Sequence, residues 1–403
     1  MTTGSSDVVV VGAGLAGLAA AQLCRRRGLV VTVFDQHPGG RARSDRKDGF
    51  VFNRGPHAIY RGGATERVLR ELGVTYSGGP PALASGAILV DGRQFAMPAT
   101  KSAVLTSRYF ATRDKVTYGR FFTRLARMDA AQFGGVTVSE MLGDLTDRAA
   151  KVALMAVRTA TYAHAPDVMS AEVAITALQA PGVLYIDDGW QHLVDSLAEG
   201  IDVRSESVVT INGGVVTTGV GTYEAPMAIV AVGSPAAAAR VLGRSAFDVD
   251  SPIEVACLDL GVDHAPTKPV LMAIDEPIYL SCHTPMARLA PPGCHVVHVA
   301  RYLAPGDDDA PDVLQDQLRV HAARNGITEQ SIVSSRYLHR MMVSGALVTA
   351  ARGGFAGRPA IDESGTADVF VVGDWVGPEG QLADAAFASA YAAALRVCAK
   401  LKR

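Results

Sequence analysis

Val8-Val9-Val10-Val11-Gly12-Ala13-Gly14-Leu15-Ala16-Gly17 is followed by an Ala/Leu-rich stretch and then by Val30-Val31-Thr32-Val33-Phe34-Asp35-Gln36. The four valines form a β-branched run bounded by glycine, the pattern of a buried parallel strand. G-x-G-x-x-G directly after it opens a helix, and a second apolar strand ends in an acid. Gly12 supplies the tight turn, Gly14 lets the backbone approach a pyrophosphate, and Gly17 lets the helix lie close on the strand. The amides of Ala13, Leu15 and Ala16 belong to the same turn and helix N-terminus, where free N–H groups and the positive end of the helix dipole favour phosphate. Asp35, with Gln36 beside it, stands about 20 residues on, where an acceptor for ribose hydroxyls is required. Strand, glycines, helix, second strand and acid occur in order, so this βαβ unit is expected to bind a dinucleotide.

The chain has 403 residues, enough for two domains with their own cores. At 48% hydrophobic and 19% charged it is globular. A net charge of −2 supplies no field for nucleic acid or an anionic membrane, and neither is expected as a partner. Cys24, Cys257, Cys282, Cys294 and Cys398 are scattered without zinc-ligand or disulfide-framework spacing, so no metal is expected. A reducing cytoplasm is the matching compartment. Val8–Cys24 is not read as a signal peptide, because no positive residue precedes it and its glycines have the fingerprint spacing. No other run of 18 or more apolar residues occurs, so no transmembrane segment is expected.

Beyond Asp35, Gly39-Gly40-Arg41-Ala42-Arg43 reads as a second backbone approach to phosphate, with Arg41 as a bidentate guanidinium. Phe50–Phe52 is a short strand leading to Asn53-Arg54-Gly55-Pro56-His57, and a helix is expected from about Ala64 to Leu72. Lys101 to Ala180 reads as several helices, with a capping box at Thr137–Glu140 and an N-cap at Ser170. Asn212-Gly213-Gly214 between valine-rich runs signals a hairpin. Ala228–Val232 is another buried strand. A second β block covers 253–260, 270–274 and 296–299, and 313–324 is an amphipathic helix. Near the C-terminus, Val369–Val372 leads into Gly373-Asp374, a glycine-bearing loop and an Ala-rich helix from about Leu382 to Lys400. This second strand–turn–helix suits a flavin dinucleotide, whose ribityl hydroxyls want an acceptor such as Asp374.

With both ends in view, the chain resembles the FAD-dependent superfamily of amine oxidases, protoporphyrinogen oxidases and phytoene desaturases. The resemblance is carried by Gly12-x-Gly14-x-x-Gly17, Asp35, Gly39-Gly40-Arg41, Gly55-Pro56, Val208-x-x-Ile211 and Gly373-Asp374, and by Gly380-Gln381-Leu382, Ala385, Ala388 and Ala392-Ala393 in the closing helix. It covers about half the chain. It departs at Asp35, where the family more often has Glu, and at Ser389, where it often has Gly. The lysine that amine oxidases usually carry near the flavin has no counterpart in Ile253–Cys257.

The resemblance implies an α/β, amine-oxidase-like two-domain fold. A Rossmann-like FAD-binding domain would comprise 1–75, 186–243 and 341–403, and a discontinuous α+β substrate domain 76–185 and 244–340. It implies non-covalent FAD held by the glycine loop, Asp35 and Gln36, Gly40 to Arg43, Gly55 to His57, Val208, Gly373 and Asp374, and Gln381, Leu382 and Ala383. The expected activity is dehydrogenation of a small organic substrate at a C–C or C–N bond, with oxygen or another electron acceptor taking the electrons. Amine oxidation proper, an NAD-dependent dehydrogenase, a redox-neutral flavin isomerase and a catalytically inactive flavin-binding partner protein are the alternatives. His57 is the first catalytic candidate because it follows Gly55-Pro56, which the resemblance puts near the ring. Tyr279 and His283 are the further catalytic candidates: they are two steps of strand alternation apart around Ser281, so an extended strand would place all three on one face, where they would line a pocket.

Overall fold

A computed structural model describes residues 2–401. At its centre is a five-stranded sheet in the order 202–204, 31–34, 8–11, 227–230, 369–371. Every neighbouring pair is parallel. Val8–Val11 is buried throughout, as a strand covered on both faces must be. On one face the helices Leu15–Arg26, Gln191–Ala198 and Ala383–Lys400 pack over it. The first and last of these meet through Ala19, Ala20, Ala390, Ala393 and Ala394, all fully buried. Small side chains here let two helices approach the sheet together. The opposite face is covered by Ile211, Val216, Tyr223, Ala238 and Trp375. Asn212 pairs with Val215 around Gly213-Gly214, so the expected hairpin forms.

The second β block is a seven-stranded sheet in the order 332–344, 253–262, 295–302, 278–282, 270–273, 87–90, 93–96. All its pairs are antiparallel except 87–90 with 270–273. That parallel pairing ties the segment after residue 76 to the later block. Between them lie the helices Thr112–Leu125, Asp147–Thr161 and Ala171–Gln179 and shorter turns. The Thr137 hydroxyl accepts the Glu140 N–H at 3.1 Å, and the Glu140 carboxylate accepts the Thr137 N–H at 2.7 Å. The Ser170 hydroxyl accepts from the Glu172 N–H at 3.2 Å. Both caps are where the sequence places them.

Several strands escaped the sequence reading, among them Val183–Ile186 and Ile332–Ser344. Val183–Ile186 is short and pairs with Ile59–Tyr60 and Gly78–Gly79. Ile332–Ser344 is 13 residues long, and residues 335–343 are all half-buried. It has no buried face to impose apolar alternation, because it is an edge strand that borders a cavity. The domain boundary drawn at 341 falls inside this strand.

Candidate functional site

A cavity of about 1180 Å³ lies across the carboxyl ends of the central strands, touching Val11, Phe34, Ala231 and Gly373. Ligands of open α/β sheets bind in that position. Asp35, Glu206 and Val208 line one part of it; Pro56, His57, Tyr60, Tyr162 and residues 337–343 line another.

The first glycine loop forms its floor. Gly12 has φ +106°, and a Cβ there would sit 2.5 Å from the Ala231 carbonyl oxygen. A Cβ on Gly17 would sit 1.9 Å from the Gly12 carbonyl oxygen, so only glycine lets this helix start against the strand. A Cβ on Gly14 would meet nothing within 4 Å, because that face opens onto the cavity. The helix beginning at Leu15 has no side chain capping its N-terminus, which leaves first-turn amides available to a ligand. The second glycine pair closes over the first: the Gly39 N–H donates to the Ala13 carbonyl at 2.7 Å, and Gly40 turns at φ +52° beside Gly14. The closing helix also starts uncapped, at Leu382, and Leu382, Ala383 and Ala386 reach the cavity.

Three expected contacts are arranged differently from the sequence reading. Asp35 lines the cavity, but one carboxylate oxygen accepts from the Ala13 N–H at 2.6 Å and the other from the His37 N–H at 2.7 Å. It braces the glycine loop with the same oxygens that would receive a ribose. Arg41 does not present a free guanidinium for phosphate. It donates to both oxygens of Asp374, at 2.9 and 2.7 Å, and to the Val343 carbonyl at 3.0 Å. Asp374 is therefore half of an ion pair, and its Oδ2 also accepts from the Gly345 N–H at 2.9 Å. Burial pushes this carboxyl up, but the charge and hydrogen bonds of Arg41, with Ser344 and Gly345, outweigh it and hold it below the usual carboxylate range. Ser389 ties the same turn to the closing helix by accepting the Gly373 N–H at 3.0 Å.

Gly12, Gly14, Leu15, Ala16, Asp35, Gln36, Gly40, Arg41, Ala42, Pro56, His57, Val208, Gly373, Asp374, Leu382 and Ala383 all line the one cavity. Ala13, Gly17, Arg43, Gly55 and Gln381 are not among the lining residues. Ala13, Gly17 and Gly55 shape the turns behind it, Arg43 lies 3.9 Å from Asp45, and Gln381 donates to the Ala160 carbonyl at 3.0 Å.

His57 reaches the cavity, with Nδ1 3.0 Å from the Gly55 carbonyl and its ring edge-on to Trp190. Burial lowers its pKa to about 4 against the opposing pull of the Gly55 and Arg41 carbonyls, so the imidazole is neutral at pH 7. Tyr279 and His283 do not line the cavity; the expectation that they do is corrected. Tyr279 stacks on Tyr302 and donates to the Tyr162 hydroxyl at 3.4 Å, while His283 stacks on Tyr185 at 3.6 Å. Strand alternation set their shared face correctly, but Tyr162 and Tyr185 cover that face.

Folding also gathers Cys257, Asp259 and His298, all buried. Asp259 Oδ1 accepts from His298 Nδ1 at 2.6 Å and from the Cys257 thiol at 3.2 Å. Arg336 neutralises the other carboxylate oxygen and reaches across to Asp45 and the Asn53 carbonyl. The cluster thus fastens the seven-stranded sheet to the segment that leads into Gly55-Pro56-His57.

Arg54, Tyr60, Tyr162, Trp190 and residues 337–343 line the cavity without having been singled out. Trp190 is 3% exposed, and its indole N–H is buried without a protein acceptor. Tyr162 has φ +58° at the end of its helix, a turn that no sequence pattern announced.

Residues 10–72 match the model of the NAD(P)-binding Rossmann-like domain. The chain is 37% identical over 110 residues to coproporphyrinogen III oxidase of Propionibacterium freudenreichii, covering 25% of this chain and 20% of that protein. It is 39% identical over 74 residues to the zeta-carotene-forming phytoene desaturase of Myxococcus xanthus, covering 18% and 14%. The aligned segments thus span a fifth or less of these curated relatives. Over nearly the whole length the chain is similar in fold to putrescine oxidase bound to putrescine, with a TM-score of 0.73, 16% identity, and coverage of 98% and 99%. The resemblance read from the motifs holds: a Rossmann-like unit within the two-domain fold of the flavin amine-oxidase type.

Proposed function

We propose that this chain is a non-covalent FAD-dependent oxidoreductase that dehydrogenates an organic substrate at a C–C or C–N bond, with oxygen or another acceptor receiving the electrons. The observation that carries the reading is the convergence of both strand–turn–helix units, from the two ends of the chain, on one cavity of about 1180 Å³. A nicotinamide dinucleotide requires the first unit alone; the second, with Asp374 and the uncapped closing helix, suits a flavin. The site's chemistry fits the group: an open Gly14 face and uncapped helix amides offer donors to an acceptor-rich ligand.

FAD supplies the hydride-accepting ring. The chain's residues do the rest. The Gly12–Gly17 turn and Asp35 hold the adenosine diphosphate portion. The Arg41–Asp374 pair and the Leu382 helix start would hold the flavin portion. Tyr60, Tyr162 and residues 338–343 exclude water from the reacting carbon and orient the substrate. His57 is neutral and can accept or share a proton beside them. The enclosing domains are proposed as 1–75, 186–243 and 341–403 for FAD, with the remainder for substrate.

Acid precipitation of purified protein tests the cofactor: FAD colour in the supernatant is the expected result, and colour retained in the pellet refutes non-covalent binding. An anaerobic screen of reduced tetrapyrroles, polyenes, amines and cyclic carbon acids, read by bleaching of flavin absorbance, then identifies the substrate class. Bleaching by none of them would favour the inactive flavin-binding alternative.

A further inference from the structure

Residues 101–128 carry seven lysines and arginines and a single acid, Asp114, within a chain whose net charge is −2. The overall charge averages away this local excess, and the fold decides where it goes. The helix Thr112–Leu125 turns Asp114, Tyr118, Phe121 and Leu125 inward. The last three join Val152 and Ala153 of the neighbouring helix in one core. Asp114 is spent there as well, because its carboxylate accepts the Ala111 N–H at 2.8 Å. The outward stripe, at spacings of three and four residues, is Val116, Arg120, Thr123 and Arg127, all exposed.

This stripe and the short helix Lys101–Thr106 frame an open groove of about 680 Å³. Four cations line it, Lys115, Arg120, Arg124 and Arg127, and no carboxylate does. Among the described residues, Arg124 alone of the four has an acid within ion-pair distance, Asp144 at 3.5 Å, and both of those side chains are more than half exposed. Lys115 Nζ donates to the Leu105 carbonyl at 2.7 Å, which fixes the end of the short helix and holds Leu105 at the rim. Leu105 is 70% exposed and Val116 44%, and both line the groove. Single-sign charge and free aliphatic side chains thus occupy one face, anchored from behind by a packed aromatic core.

The combination selects the partner. Nucleic acid would use the charge, but Tyr118 and Phe121, which could stack on bases, are buried. An acidic protein segment would satisfy the arginines and has no requirement for a leucine standing free at the rim. An anionic lipid surface uses both features: phosphates pair with guanidinium forks, and aliphatic side chains enter the boundary between headgroups and acyl chains. We propose that this face docks on an anionic phospholipid surface, with Arg120, Arg124 and Arg127 at the phosphates and Leu105 and Val116 inserted beneath them. The docking face lies outside the nucleotide cavity, so the proposal stands independently of the flavin reading.

The test sediments the full-length protein with vesicles of phosphatidylcholine alone and with vesicles of phosphatidylcholine and phosphatidylglycerol in equal parts. The anionic vesicles are expected to bind it about tenfold more tightly or better, and raising the salt weakens that binding. The double variant Arg120→Gln with Arg127→Gln should lower affinity for anionic vesicles about tenfold. Leu105→Ser should lower it several-fold at unchanged charge. These side chains are exposed, so both variants should keep the wild-type circular dichroism and thermal midpoint. Equal binding to the two vesicle types, binding to neither, or unchanged binding in the double variant overturns the proposal. Wild-type binding by Leu105→Ser overturns the insertion of the apolar rim. Retention on poly-glutamate without vesicle binding overturns the lipid assignment in favour of an acidic protein segment.

Discussion

Arg41 and Asp374 are 333 residues apart in the chain and meet as a bidentate pair, with Nη1–Oδ2 at 2.9 Å and Nη2–Oδ1 at 2.7 Å. The Asp374 side chain is 4% exposed, whereas Arg41 is 36% exposed on the cavity wall. Removing Arg41 leaves a buried carboxylate with the Gly345 N–H and Ser344, so Arg41→Ala should destabilise the apoprotein by about 1–3 kcal/mol. Asp374→Ala should cost a similar amount or less, because the freed guanidinium can turn toward solvent. The double variant should lose less than the sum. Denaturant midpoints of the four proteins measure the coupling, and strict additivity would show that the pair is not formed.

The same pair makes stability depend on acid. The folded Asp374 carboxyl lies below its ordinary value of about 3.9. Its contribution is therefore complete above that pH and is lost as pH falls through the lower folded value. Asp374→Asn should remove this component of the acid transition, leaving a shallower fall in stability below pH ~4.

Asp374→Ala should also raise the flavin reduction potential. In the proposed FAD complex it would remove a negative charge near a ring that gains negative charge on reduction. A change of about 1–2 kcal/mol corresponds to tens of millivolts, since roughly 30 mV equals 1.4 kcal/mol for a two-electron couple. Dye-equilibration potentiometry on the two proteins reads the shift; identical potentials would place Asp374 away from the ring.

Gly14 and Gly17 should fail in different ways. A side chain on Gly14 meets no protein atom and projects into the cavity, so Gly14→Val should fold with near-native stability and lose FAD binding. A side chain on Gly17 collides with the Gly12 carbonyl, so Gly17→Val should impair folding itself. Circular dichroism together with FAD titration separates the two, and FAD affinity unchanged in Gly14→Val would contradict the phosphate-binding role of that turn.

His57 should titrate near pH 4, against about 6.5 in the unfolded chain. Between those values the unfolded state binds a proton that the folded state does not, so stability rises with pH and is lost on acidification. The loss approaches roughly 3 kcal/mol at pH 4, at 1.36 kcal/mol per pH unit. Burial sets this value, with His298 lowering it further and the Gly55 and Arg41 carbonyls and Asp259 opposing. His57→Gln should flatten the pH dependence of stability by about one proton in that window, and an imidazole NMR titration near pH 6.5 would contradict the buried neutral state.

The sequence by itself determined the βαβ unit, the closing strand and helix, and the caps at Thr137 and Ser170, because those features are local. Glycine spacing, a β-branched run and a hydroxyl three residues before a glutamate act through neighbours in the chain. It also pointed to most of the residues of the Rossmann-like part that line the cavity, since the carboxyl ends of parallel strands must share one edge. What those residues do there was decided by long-range pairing. Arg41 and Asp374 each looked like a ligand contact when read alone, and the sheet register brought them onto each other. Tyr279 and His283 shared a face as alternation required, but only the packing of Tyr162 and Tyr185 showed that face to be covered. The strand Ile332–Ser344 was invisible because a strand that walls a cavity carries polar and apolar residues on both faces.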